Sequence, residues 1–115
     1  EQLNQLSGEL SRDEEGNVVP PYSFAETAKR INSEFDGYGH YFAFYEVRPK
    51  AVALSVPMSY LGITGIYFPF YAEANINTVV PFCELPVTIA HEMAHAKGVS
   101  RENEANIAAY VLCIR

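Results

Sequence analysis

The run His91-Glu92-Met93-Ala94-His95 places two imidazoles four residues apart, with a carboxylate directly after the first. On an α-helix, residues i and i+4 project to the same side, so both imidazoles can bind one ion. Neutral imidazole is a good zinc ligand, and Glu92 is offset so that its carboxylate lies beside the ion rather than on it. There Glu92 can take a proton from a metal-activated water as general base. The spacing therefore predicts a catalytic Zn²⁺ site.

The alternative interpretation is that these histidines are ordinary polar residues of a helix. The chain has only 3 His, and two of them flank a Glu within the otherwise small and apolar run from Thr88 to Ala96. Polar groups on a half-buried helix face need partners if no metal supplies them. The metal site is therefore the favoured interpretation.

A catalytic zinc usually has three protein ligands and one open position, so a third ligand is expected. The metzincin pattern would place a His at position 101, but this chain has Arg101, which excludes that subclass. Two carboxylates follow, Glu102 and Glu104, and residues two apart point about 200° apart around a helix, so only one can face the ion. We favour Glu102, because Asn106 lies one turn further on the same face and can hydrogen-bond a ligating His. Glu104 remains the alternative.

Two helices are predicted before the first strand. Leu3, Leu6 and Leu10 occur at helical spacing and indicate a short helix within residues 1–12. Ser23 and Glu26 form a capping box, which starts a second helix. Its predicted apolar face ends at the turn Asp36-Gly37 and consists of Phe24, Ala28, Ile31 and Phe35.

Three strands are predicted in the middle of the chain, where aromatic and β-branched residues are frequent, over residues 41–47, 51–54 and 65–71. Pro69 cannot donate to a sheet ladder, so residues 65–71 are predicted to be an edge strand. We expect a peptide substrate to add to this edge by main-chain hydrogen bonds. The predicted substrate-binding residues are Gly65, Ile66, Tyr67 and Phe68.

Two further helices are predicted at the end of the chain. Pro86 suits the first residue of a helix that runs to about Lys97, and Gly98 suits its C-terminal stop. Ser100 can cap the last helix. Between the edge strand and these helices, residues 73–77 are interpreted either as a wall of the cleft or as an Asn-rich turn.

This order of elements predicts an α+β fold. A small mixed sheet, with its edge strand over the site, would pack on the helix that carries the two histidines and on the following ligand helix. At 115 residues, 49% of them hydrophobic, the chain is expected to form a single domain. A net charge of −6 and the absence of a Lys/Arg run exclude nucleic acid as a partner.

The segment from Ser100 to Asn106 resembles the Glu-x-x-Ala-Asp helix of the CAAX prenyl protease group of membrane metallopeptidases. Asn106 stands in place of the Asp, and 6 residues separate His95 from Glu102. This resemblance supports Glu102 as the third ligand.

Residues 65–113 are more closely similar to an uncharacterised bacterial family of predicted membrane-anchored zinc metallopeptidases of the zincin-like, gluzincin type. The matching segments are Gly-Ile-Tyr-Phe-Pro-Phe, Glu-Ala-Asn-Ile-Asn, the HExxH motif and Glu-Asn-Glu-Ala-Asn. The resemblance implies an extracytoplasmic domain, anchored through transmembrane segments of a larger protein that lie outside this chain. Within the chain, no apolar run approaches the roughly 20 residues that span a bilayer.

The predicted function is that of a zinc metalloendopeptidase that hydrolyses peptide or protein substrates. The first rival is a zinc hydrolase that acts on another bond. The second is a catalytically inactive zincin-like domain used for partner binding or signal sensing at the membrane, although the presence of Glu92 favours an enzyme.

Several side chains have a role that the sequence leaves open. An oxyanion helper is sought among Tyr67, Tyr71, His40 and Tyr110, each of which is also a suitable structural residue. Cys83 and Cys113 are interpreted as buried small hydrophobes or as one disulfide.

Overall fold

Seven elements follow one another in the computed structural model, which describes residue 5 and residues 7–42, 46–53, 55–68 and 73–114, the side chains of Tyr67 and Phe68 excepted. They confirm an α+β fold with a small mixed sheet. The elements are α1 (Phe24–Asp36), β1 (Lys50–Ala51), α2 (Ser55–Tyr60), β2 (Gly65–Phe68), β3 (Glu73–Ile76), α3 (Leu85–Ala96) and α4 (Glu102–Cys113).

Helix α1 begins and ends as predicted. The Ser23 hydroxyl accepts a hydrogen bond from the Glu26 N–H at 3.3 Å, and the Glu26 carboxylate accepts one from the Ser23 N–H at 2.9 Å. These reciprocal bonds satisfy two donors that have no partner inside the helix. Gly37 follows the last turn, and the face formed by Ala28, Ile31 and Phe35 is buried while Phe24 packs at its border.

The helix predicted within residues 1–12 falls only partly on the described residues. Gln5, Ser7 and Gly8 are helical, and Leu10 is exposed beyond them. Leu3 and Leu6, which carried the prediction, lie outside the described residues.

The sheet has the order β1-β3-β2, so the strand that comes last in the sequence is central. β1 pairs with β3 in parallel, whereas β2 pairs antiparallel, with Gly65 opposite Ile76 and Phe68 opposite Glu73. β2 therefore lies at one edge, as predicted. The predicted extension to residue 71, including Pro69, lies outside the described residues.

The prediction for residues 73–77 is wrong as an Asn-rich turn, because residues 73–76 form the central strand. Burial alternates along β3, with Ala74 and Ile76 fully buried. Two strands of the prediction also differ. The strand over 51–54 is only Lys50–Ala51, since a helix, α2, begins at Ser55. Of residues 41–47, those described are not in a strand.

Helix α3 ends in a Schellman turn, after which the chain continues toward α4. Gly98 has φ of 104°, a left-handed conformation that favours glycine. Its N–H donates to the His95 carbonyl at 3.1 Å, and the Val99 N–H donates to the Ala94 carbonyl at 3.0 Å. The stop predicted at Gly98 is therefore confirmed. Pro86 lies in the first turn but is the second residue of the helix, since α3 begins at Leu85, one residue before the predicted start.

The predicted cap of the last helix is wrong. α4 begins at Glu102, so Arg101 rather than Ser100 is the residue at the cap, and its side chain makes no capping hydrogen bond. The two carboxylates of the first turn, Glu102 and Glu104, favour this helix start through their interaction with the helix dipole.

Cys83 and Cys113 are exposed free thiols, so both interpretations of the pair, burial and a disulfide, are corrected. Cys83 lies in the turn before α3 and Cys113 is the last residue of α4. No helix among the described residues has the length and apolar character needed to cross a membrane.

The buried side chain of Asn77, which follows β3, forms hydrogen bonds with the segment that precedes β2. Its side chain is 1% exposed, and its amide donates to the Ser59 hydroxyl at 2.9 Å and to the Ile63 carbonyl at 2.8 Å. Its side-chain oxygen accepts from the Val79 N–H at 2.9 Å. One buried amide therefore links Ser59 and Ile63, in the segment that leads into β2, to the residues that follow β3.

Replacing that amide should destabilise the fold. We expect Asn77→Ala to lower the free energy of unfolding by about 2–4 kcal/mol, because the Ile63 carbonyl and the Val79 N–H lose their partner. Urea denaturation followed by circular dichroism measures the change. The control is Asn75→Ala, which removes a half-buried amide with one long contact, 3.5 Å to the Glu73 carbonyl. Equal losses in the two variants would contradict this role of Asn77.

Candidate metal centre

Three side chains from α3 and α4 bring their ligand atoms to one point. The Nε2 atoms of His91 and His95 are 3.1 Å apart. One oxygen of Glu102 lies 3.1 Å from Nε2 of His91, and the other lies 3.3 Å from Nε2 of His95. The ligand atoms of these three residues all lie within 4.8 Å of one another, close enough to hold a metal ion.

The spacing fits a small tetrahedral cation. With metal–nitrogen and metal–oxygen bonds of about 2.0–2.1 Å, the ligands of a tetrahedral ion are about 3.3 Å apart. The observed separations of 3.1–3.3 Å match this edge closely. Three protein ligands also leave the fourth position of a tetrahedron open.

The orientation of His95 is fixed by the turn that ends α3. Its Nδ1 lies 2.7 Å from the Val99 carbonyl, and since a carbonyl can only accept, Nδ1 is the donor. In the neutral ring, Nε2 is then a lone-pair acceptor, which is the form that binds a metal. The lone pair of Nε2 and the Glu102 carboxylate thus face the same point, and a cation there satisfies both.

The prediction that Asn106 supports a ligating histidine is wrong. Asn106 is exposed and forms no hydrogen bond with either His91 or His95 in the described part of the chain. The Val99 carbonyl supports His95 instead. A sequence signal for this contact existed in Gly98, because a Schellman turn folds the next residue back over the last helical turn.

The choice between the two carboxylates follows from where α4 begins. Glu102, at the first position of the helix, reaches the histidines, although its side chain is 76% exposed. Glu104 is exposed and lies 3.5 Å from the Arg101 guanidinium, away from the cluster. The described structure therefore brings together His91, His95 and Glu102, and not Glu104.

Glu92 lies beside the cluster of His91, His95 and Glu102 but is not part of it. It is only 7% exposed. Burial raises the pKa of Glu92 above its ordinary value, the neighbouring His91 and His95 act in the opposite direction, and the Glu102 carboxylate raises it further. A buried carboxylate next to three side chains that could hold a metal ion is an arrangement in which a general base is commonly found.

A cleft of about 770 Å³ opens onto this cluster. One wall is formed by residues 62–65, which lead into β2, and the other by α3 and the turn at residues 98–100. Neither His40 nor Tyr110, two of the predicted oxyanion helpers, is among the residues that line it. The side chain of Tyr67 and all of Tyr71 lie outside the described part.

A family model described as a protein of unknown function, DUF3810, matches residues 1–115, so the chain belongs to this family. The comparisons with curated proteins and with solved structures gave no match. The family description names no activity. The predicted relationship to zinc metallopeptidases and the membrane anchoring therefore remain predictions.

Metal binding should depend on Glu102 and not on Glu104. We expect Glu102→Ala to weaken zinc binding by more than about 100-fold, which exceeds the usual cost of losing a mere partner of a ligand. Glu104→Ala is the matched control and should bind one zinc ion per chain like the wild type. Competition with a chromogenic chelator measures both affinities. The reverse ranking would show that the cluster of His91, His95 and Glu102 is not the metal site.

Proposed function

We propose that this member of the family is a zinc-dependent metallopeptidase, with His91, His95 and Glu102 as zinc ligands and Glu92 as general base. One observation carries the proposal. Two imidazole nitrogens and a carboxylate converge at the separations that a tetrahedral ion requires, and a second, buried carboxylate lies in the same cleft.

The chemistry assigns one role to each side chain. When bound to these ligands, zinc lowers the pKa of water and polarises a carbonyl group. Glu92 accepts a proton from the attacking water, whose oxygen bonds to the carbonyl carbon of the substrate. The carbon–nitrogen bond then breaks, and Glu92 returns the proton to the leaving amine. Protons balance over the reaction, so no further co-reactant is needed.

The edge of the sheet supports a peptide as substrate. The Asn77 N–H donates to the Thr64 carbonyl at 2.9 Å, and Thr64 and Asn77 are therefore a hydrogen-bonded pair of the antiparallel ladder. Because such pairs alternate, the N–H and carbonyl groups of Gly65 and Tyr67 point away from β3. Among the described residues β2 has no second partner strand. An extended peptide can bind these main-chain groups next to Glu92.

The remaining parts of the proposal rest on the sequence resemblance. These parts are membrane anchoring through segments outside this chain and an extracytoplasmic position for the site. The competing function is that of an inactive zincin-like domain that binds a partner or senses a signal, and zinc binding without peptide cleavage would favour it.

Removing the proposed base should stop hydrolysis without removing the metal. We expect Glu92→Gln to lower kcat for peptide hydrolysis by about 10²–10⁴-fold, because the amide cannot accept the proton. Zinc content should stay at one ion per chain. Zinc-loaded wild type, Glu92→Gln and the control Glu104→Gln are compared on casein and a quenched peptide library. Hydrolysis that survives Glu92→Gln would refute the mechanism, and a wild type that binds zinc yet cleaves nothing would favour the inactive domain.

The contribution of the edge of β2 to substrate binding can be measured by removing one main-chain N–H. Tyr67→Pro removes an N–H that points away from β3, so the sheet ladder is preserved. Tyr67→Ala removes the same side chain and keeps the N–H. We expect kcat/KM of the proline variant to lie about 3–10-fold below that of the alanine variant, the effect of one hydrogen bond. Equal kcat/KM values would exclude this N–H from substrate binding.

A further inference from the structure

Strand β2 approaches helix α3 most closely at Gly65. A Cβ atom at this position would lie 2.6 Å from Cγ of Glu92, 2.8 Å from Cδ and 2.7 Å from Oε1. Distances under 3.0 Å are essentially never found for real Cβ atoms. The backbone of β2 at Gly65 therefore lies directly against the side chain of the proposed general base.

The requirement for glycine here is one of space and not of backbone conformation. Positive φ angles occur at Gly16, Gly62 and Gly98 among the described residues, but not at Gly65. An alanine could adopt the same extended backbone, and it is the more favourable residue in a strand. What an alanine cannot do is share the space with the Glu92 side chain.

Which part of the structure would move to accommodate a Cβ at position 65 depends on the atoms with which it would clash. The three nearest atoms all belong to one side chain, from its Cγ outward. Rotating one glutamate is easier than moving a strand that is bonded to the central strand of the sheet. A Cβ at position 65 should therefore displace the Glu92 carboxylate and leave His91, His95 and Glu102 in place.

We propose that Gly65 is a positioning residue for Glu92. Its missing side chain leaves the space in which the carboxylate lies beside the metal ligands. The kinetic consequence rests on the proposed function, whereas the structural consequence, displacement of Glu92, does not. The role differs from the main-chain contact of Gly65 with substrate, because it acts through Glu92.

The test is Gly65→Ala in the zinc-loaded protein. We expect kcat to fall by about 100-fold or more, with KM, zinc content and Tm close to those of the wild type. Gly8→Ala is the matched control, because a Cβ at Gly8 meets nothing within 4 Å, and it should retain full activity. Full activity in Gly65→Ala, or loss of its zinc, would overturn the proposal.

A second comparison separates positioning from simple blockage of the substrate. A fluorescent peptide substrate should bind Glu92→Gln and the double variant Gly65→Ala/Glu92→Gln with the same affinity. Binding that is weaker by about tenfold or more in the double variant would mean that the alanine excludes the substrate, which overturns the positioning role.

A crystal structure of zinc-soaked Gly65→Ala tests the claim without any enzymatic readout. The Glu92 carboxylate should be rotated away from its wild-type position, while the three ligand side chains and β2 superpose. An unchanged Glu92 with a shifted β2 would overturn the proposal. If the wild type binds zinc but shows no peptidase activity, the proposed function fails and this structural comparison still decides the role of Gly65.

Discussion

The close packing of α3 against α4 is the constraint on which the candidate site depends. Their buried faces carry small residues, with Ala90 and Ala94 on one helix and Ala105 and Ala109 on the other, all fully buried. Small side chains at a helix contact allow a short interaxial distance. The turn at residues 97–101 then places Glu102, the first residue of α4, next to the histidines of α3. A carboxylate near in sequence thus becomes a neighbour in space.

The two carboxylates of the site differ in environment, and this difference suits two different tasks. Glu102 is largely exposed and reaches the histidines from the open side of the cleft. Glu92 is buried against β2, where the loss of solvation raises its pKa. A carboxylate that is harder to ionise is a better proton acceptor once ionised. The sheet therefore contributes to the proposed chemistry by enclosing Glu92, in addition to its exposed edge.

The sequence predicted the parts of the site that depend on local geometry. The spacing of His91 and His95 places both side chains on the same side of one helix, and Gly98 determines where that helix ends. Glu102 could be favoured over Glu104 but not chosen, because the choice depends on the first residue of α4. The role of Asn106 was predicted wrongly, because helical periodicity indicates on which face of the helix a residue lies but not whether that face is buried.

Contacts between distant segments escaped prediction. β3 was missed because the half-buried residues that alternate with its buried ones, Glu73 and Asn75, are of types depleted in strands. Its central position in the sheet comes from pairing with β1 and β2, which lie elsewhere in the sequence. The space that Gly65 leaves for Glu92 is likewise a contact between a strand and a helix. No pattern within either segment indicates it.

The most direct test of the metal centre is anomalous diffraction at the zinc absorption edge from crystals of the zinc-loaded protein. We expect one strong peak within about 2.0–2.2 Å of Nε2 of His91, Nε2 of His95 and the carboxylate of Glu102. Absence of a peak there, or a peak coordinated by Glu104 in place of Glu102, would contradict this expectation.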